Sequence, residues 1–135
     1  MWDKKVHVKS SMDRKDSQWS LFIGRWQPLH EGHKELFRQV ISEGWKVCVA
    51  IRNGEINEKN PFSVSEVMSK IAEQMKPEIE DGKLMVIQIP DICSVEFGRG
   101  VGYDIIEHIP PPEVAQISAT KIREEMYGTS QKTHS

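Results

Sequence analysis

Lys46 to Ile51 reads Lys-Val-Cys-Val-Ala-Ile, a run rich in β-branched residues and apolar on both faces. Alternate side chains of a strand point to opposite sides, so both sides of this run need cover. Such a strand belongs in a parallel sheet flanked by helices. The neighbouring segments agree. Ser20 to Gly24 (Ser-Leu-Phe-Ile-Gly) is a short apolar run ending in glycine, and Leu84 to Ile89 is a third strand. Between the first and second runs, Glu31 to Ser42 repeats Leu36, Phe37, Val40 and Ile41 at helical spacing, with Gly44 as a stop. Between the second and third, Ser63 to Met75 carries a stripe of Val64, Val67, Met68, Ile71 and Met75. Strand, helix, strand, helix, strand predicts an α/β fold with a parallel sheet and right-handed crossovers.

The remaining segments are weaker. Val6 and Val8 alternate with His7 and Lys9, which allows a short edge strand inside an otherwise polar arm over residues 1–18. Ser94 to Phe97 and Asp104 to Ile109 are further strand candidates, and Ser118 to Met126 is a last helix. One folded domain is expected over 19–127, with a tail over 128–135. A chain of 135 residues buries about two-thirds of its unfolded surface, enough for a core without staples. Cys48 and Cys93 form no CxxC pair, which removes a zinc ribbon or redox motif; both read as buried thiols in a reducing cytoplasm. Eighteen Lys and Arg against 20 Asp and Glu leave a net charge of −2. A nearly neutral chain is not a general binder of nucleic acid or anionic membrane, so any phosphate must be held at one organised site. No apolar run approaches the ~18 residues of a membrane span, and the first residues lack the apolar centre of a signal peptide.

That site is expected where the first strand gives way to the first helix, at Gly24-Arg25-Trp26-Gln27-Pro28-Leu29-His30-Glu31-Gly32-His33. Ligands of open α/β sheets sit at the carboxyl ends of strands, and a helix N-terminus there offers free N–H groups to phosphate. Gly24 lets backbone approach a ligand, and Gly32 leaves room where a phosphate would meet a side chain. His30 and His33 stand three apart, so their imidazole N–H groups could donate to phosphate oxygens on one side. A metal could also be held by two histidines, but no nearby Cys or third His completes a set. Ile117-Ser118-Ala119-Thr120-Lys121-Ile122-Arg123 repeats the logic: hydroxyls and N–H groups at a helix start, then Lys121 and a guanidinium from Arg123.

The GxxxPxHxGH run resembles the HxGH signature of the nucleotidyltransferase superfamily, which includes the cytidylyltransferases and adenylyltransferases. The Ile-Ser-Ala-Thr-Lys-Ile-Arg run resembles that family's ISxTxIR motif. The resemblance implies a Rossmann-like domain with a five-stranded parallel sheet, order 3-2-1-4-5, and helices on both faces. It implies transfer of CMP or AMP from an NTP to a small phosphate-bearing acceptor with release of pyrophosphate. His30, His33 and Arg123 would be catalytic. Gly24, Arg25, Gln27, Gly32, Ser118, Thr120 and Lys121 would bind the nucleotide. Mg²⁺ would arrive with the NTP, no residue being assigned as a metal ligand, and the family is often oligomeric. Gly-Arg-Trp-Gln-Pro and Asn60-Pro61-Phe62-Ser63 are similar to the nicotinamide-nucleotide adenylyltransferases, although Glu66-Val67 stand where those enzymes carry an arginine. The short chain is closer to a glycerol-phosphate cytidylyltransferase. Trp26 and Arg99 are candidates for the acceptor, with core packing the plainer use of Trp26 and a solvated loop that of Arg99. Two other readings stand beside these: a regulatory module that binds nucleotide without turnover, and a class I aminoacyl-tRNA synthetase relative. The synthetase's second motif is echoed only by Met68-Ser69-Lys70, inside a predicted helix of a chain too short for tRNA-binding parts.

Overall fold

The computed structural model describes residues 1–10, 18–98 and 102–115. Strands β2 (Trp19–Gly24), β3 (Lys46–Asn53) and β4 (Leu84–Pro90) form a parallel sheet in the order β2-β3-β4. Helix α1 (Glu31–Ser42) makes the first crossover, and α2 (Val64–Gln74) with the short α3 (Lys76–Glu80) makes the second. The helix predicted over Glu31 to Ser42 is reproduced, and Gly44 beyond it takes φ +106°, which favours glycine. Ser63 is the N-cap of α2: its hydroxyl accepts from Glu66 N–H while the Glu66 carboxylate accepts from Ser63 N–H. Lys76-Pro77 starts α3 without a hydrophobic period to mark it; Pro fits there because first-turn N–H groups have no intrahelical partner.

The core lies between the two crossover helices and the sheet. Leu36, Phe37 and Val40 from α1 and Val67, Ile71 and Met75 from the α2 side bury against Val47, Val49, Ile51 and Leu84. Full burial of each such side chain contributes roughly 1.5–3 kcal/mol. β3 is covered as its sequence demands, with Val47 to Ile51 all buried. On the opposite sheet face Leu21, Cys48 and Met85 share one row, and Leu21 and Met85 remain 57% and 42% exposed. Among the described residues the helices therefore cover one face, not the two expected.

The sheet differs from the five-stranded order 3-2-1-4-5. The first three predicted strands take the expected 3-2-1 relation, but the rest do not extend it. β1 (Asp3–Val8), a longer strand than the arm was expected to hold, pairs antiparallel with β5 (Ile105–Ile109) in a separate two-stranded sheet. β1 has taken the edge of β5, and the start of β1 is fastened to α1: Trp2 N–H donates to Gln39 Oε1, and Gln39 Nε2 donates to Trp2 O, both at 2.9 Å. His7 adds a link to Glu107 at 2.8 Å. Ser94 to Phe97 is not a strand. These residues are exposed, and the chain just before them is held by Arg52, which donates to Ile92 O at 2.9 Å. Cys48 is buried as expected, whereas Cys93 is exposed because it lies in this same turned-out segment. Pro112–Ala115 forms the short helix α4. The helix predicted over 118–126 lies outside the described residues.

Candidate functional site

β2 ends at Gly24, and a loop from Arg25 to His30 leads to α1. Trp26 sits at φ +52°, a region costly for a bulky residue, with the cost offset by its neighbours. Its indole N–H donates to Ala50 O at 3.1 Å, and its ring meets Phe37 and His33 edge-on at 5.4 and 5.0 Å. Gly24 makes room for that ring: a Cβ there would stand 3.0 Å from the indole. Gln27 is 9% exposed, and its amide both accepts from Phe62 N–H and donates to Phe62 O at 2.9 Å. That two-bond clasp ties Asn60–Ser63 to the motif loop. The Gln27–Pro28 peptide is cis.

His30 is the N-cap of α1 and His33 is its third residue. Their rings stack at 3.5 Å. His30 N–H donates to His33 Nδ1 at 3.2 Å, and His33 N–H donates to His30 Nδ1 at 3.4 Å. Two histidines thus form a reciprocal capping box, a place usually held by Ser or Thr with Glu. Both Nδ1 atoms accept, so each neutral ring must carry its proton on Nε2. Burial holds both pKa values below the ordinary 6.5, His33 at about 3 with its His30 neighbour adding to the effect, while Glu31 opposes the lowering of His30. At neutral pH the pair is uncharged and presents two Nε2–H donors at a helix N-terminus.

Gly32 between them is needed for a protein contact: a Cβ there would stand 2.5 Å from Val114 Cγ1. Val114 of α4 is buried against it. The chain is therefore brought to the start of α1 immediately before Ile117-Ser118-Ala119-Thr120. Ser118, Thr120, Lys121, Arg123 and Arg99 themselves lie outside the described residues.

The carboxyl ends of the three parallel strands also carry a charge cluster that the sequence reading missed in part. Arg25 Nη2 and Arg52 Nη2 both donate to Asp91 Oδ1, at 3.0 and 2.9 Å. The Arg25 guanidinium lies across Gly54, where any Cβ would overlap it. Arg52 and Asp91 could have been found from their position alone, as charges that close apolar strands at the edge where such sheets bind ligands. Among the described residues no three His, Cys, Asp or Glu side chains gather to hold a metal. Both histidine Nδ1 atoms are committed to backbone N–H groups, and Asp91 is shared by two arginines. This donor set does not fit a resident metal ion. A cavity of about 400 Å³ adjoins the motif loop on its α2 side, with Trp26, Pro28, Leu29 and Phe62 forming an apolar floor. No described helix is long and apolar enough to cross a membrane.

A family model described as cytidylyltransferase-like matches residues 21–106. Three similar curated proteins are each named nicotinamide-nucleotide adenylyltransferase. The protein from Thermococcus sibiricus is 35% identical over 75 residues, covering 53% of this chain and 40% of its own length. That from Caldivirga maquilingensis is 30% identical over 98 residues, 70% of this chain and 53% of its own. That from Methanococcus aeolicus is 28% identical over 110 residues, 80% of this chain and 60% of its own. The chain spans about half the length of the curated relatives it matches.

Proposed function

This chain belongs to the cytidylyltransferase-like family, and from that premise we propose that it is a nucleotidyltransferase: it moves a nucleoside monophosphate from an NTP to a small phosphate-bearing acceptor and releases pyrophosphate. The observation that carries this reading is the stacked His30–His33 pair, neutral and with both Nε2–H groups left to donate. An oxygen of the acceptor phosphate attacks the α-phosphorus in line, and the bond to the β-phosphate oxygen breaks. The attacking phosphate is already ionised near pH 7, so no strong base is required. Catalysis is then positioning and charge stabilisation. The two imidazole donors face the charge that builds on the phosphates, each worth about 3 kcal/mol by analogy with oxyanion donors. Ser118, Thr120, Lys121 and Arg123 follow α4 in the chain and are assigned to the β- and γ-phosphates. Gly24 and Gly32 shape the loop around Trp26 and Val114, and Gln27 orients the Phe62 segment. Mg²⁺ enters as the counter-ion of the NTP and keeps much of its water. The relatives' names and the Gly-Arg-Trp-Gln-Pro run favour ATP as donor and a nicotinamide-nucleotide-like acceptor.

The test is pyrophosphate release with Mg²⁺, offering ATP or CTP with nicotinamide mononucleotide or glycerol 3-phosphate. Release that requires one NTP and one acceptor is the expected result. His33→Asn, whose amide oxygen can replace Nδ1 at the cap but which has no Nε2–H, should lose about a hundredfold or more of the rate. Nucleotide binding without release from any pairing would contradict the proposal in favour of a regulatory module.

A further inference from the structure

In-line transfer between two phosphates needs two anion sites. The leaving pyrophosphate and the attacking phosphate stand on opposite sides of the α-phosphorus, so one cluster of donors cannot serve both. The histidine pair at the start of α1 supplies one site. The geometry points to Arg52, acting with Arg25, as the second: the site that reads the phosphate of the acceptor. The identity of the anion as the acceptor rests on the nucleotidyl-transfer reading.

Arg25 leaves β2, Arg52 lies near the end of β3, and Asp91 directly follows β4, so three neighbouring strands deliver them to one edge. Both guanidinium groups converge on a single carboxylate oxygen. Two cations against one anion leave a net charge of about +1. Their side chains are only 27% and 32% exposed, so water screens the surplus incompletely. Two partly buried arginines this close repel each other, and an anion relieves that repulsion. Arg52 carries a second mark. One Nη2 is spent on Asp91 and on Ile92 O, yet its Nε–H is buried and has no hydrogen-bond partner in the structure described. That Nε–H is closed to solvent, so an incoming phosphate meets the guanidinium at Nη1, which is neither buried nor hydrogen-bonded among the described residues. Asp91, bonded through one oxygen to both arginines, holds them at a fixed separation. Gly54 is needed for the same geometry, since only a residue without Cβ lets the Arg25 guanidinium lie where it does. Trp26, next in the chain to Arg25, meets His33 edge-on.

The experiment is calorimetric titration of the full chain with three probes: nicotinamide mononucleotide, glycerol 3-phosphate and ATP with Mg²⁺. Wild type, Arg52→Gln and Arg52→Lys are compared, each first checked for an unchanged melting temperature. Arg52→Gln should weaken the better-bound monophosphate at least tenfold and leave ATP affinity within twofold. Arg52→Lys should fall between, because it keeps the charge and loses the fork. Weakening of both monophosphates identifies the phosphate as the shared feature, and weakening of one identifies the acceptor class; either supports the inference. Equal weakening of ATP, unchanged monophosphate binding, or no monophosphate binding by wild type would each overturn it. Should wild type release no pyrophosphate while Arg52→Gln still loses the monophosphate, the transfer reading fails and the anion site stands.

Discussion

His33 does three jobs with one ring. Its Nδ1 caps α1, its face stacks on His30, and its Nε2–H is left for a ligand. Burial keeps the ring neutral, and the cap requires it to be so, because a protonated Nδ1 could no longer accept from His30 N–H. It also sets a pH dependence. The folded pKa of about 3 lies far below the ordinary 6.5. Between those values the unfolded chain binds a proton that the folded chain does not, so stability falls as pH drops through this window. The full effect is at most about 5 kcal/mol, at 1.36 kcal/mol per pH unit. Urea unfolding at pH 7 and pH 4 should show wild type losing several kcal/mol more than His33→Asn, which has nothing to titrate at that position. Equal losses would mean the ring is not buried neutral. The sequence made the pairing of His30 and His33 legible through their spacing. It did not reveal the reciprocal cap, because histidine is not among the usual capping residues.

At the scale of elements, the predicted βαβ units appear where periodicity placed them, since each buries a continuous apolar stripe. Glu31–Ser42 is one such case, fixed at one end by the histidine cap and at the other by Gly44. Short elements were harder. α4 has four residues and begins at a proline, so no period marks it. Its place is set by a tertiary fit, Val114 into the gap left by Gly32, which no local pattern announces. That fit gives an expected outcome. Gly32→Ala forces its Cβ against Val114 and should cost about 1–3 kcal/mol, with a matching loss of ATP affinity as α4 moves away. Adding Val114→Ala should restore much of the stability, a coupling that a double-mutant cycle measures directly. Additive losses would show that the two residues do not meet.

For the molecule as a whole, local pattern identified the three parallel strands but not their edges. β1 is polar and exposed along its length, and the only hint of it was Val6 alternating with Val8. Its pairing with β5 joins segments about a hundred residues apart, so the ribbon was invisible to any local reading. Arg52 and Asp91 carry no local signal for a related reason: a charge at the end of a strand looks like the start of a loop until the neighbouring strands converge on it. What unites the molecule is the carboxyl edge of the sheet, where β2 and β3 deliver a pair of arginines to the Asp91 that follows β4 and the loop from β2 leads into the histidine-capped start of α1. On the proposed function this edge offers an NTP two neutral imidazoles with protons on Nε2, which can be tested without knowing the acceptor. The full chain, labelled with ¹⁵N-histidine, would be followed by long-range ¹H–¹⁵N correlation at pH 7 while MgATP is added. The expected result is that His30 and His33 are both neutral Nε2–H tautomers in the free chain and that both Nε2 signals shift saturably together. Imidazolium or Nδ1–H signals from either ring in the free chain, or a pair of spectra that millimolar MgATP leaves unmoved, would contradict it.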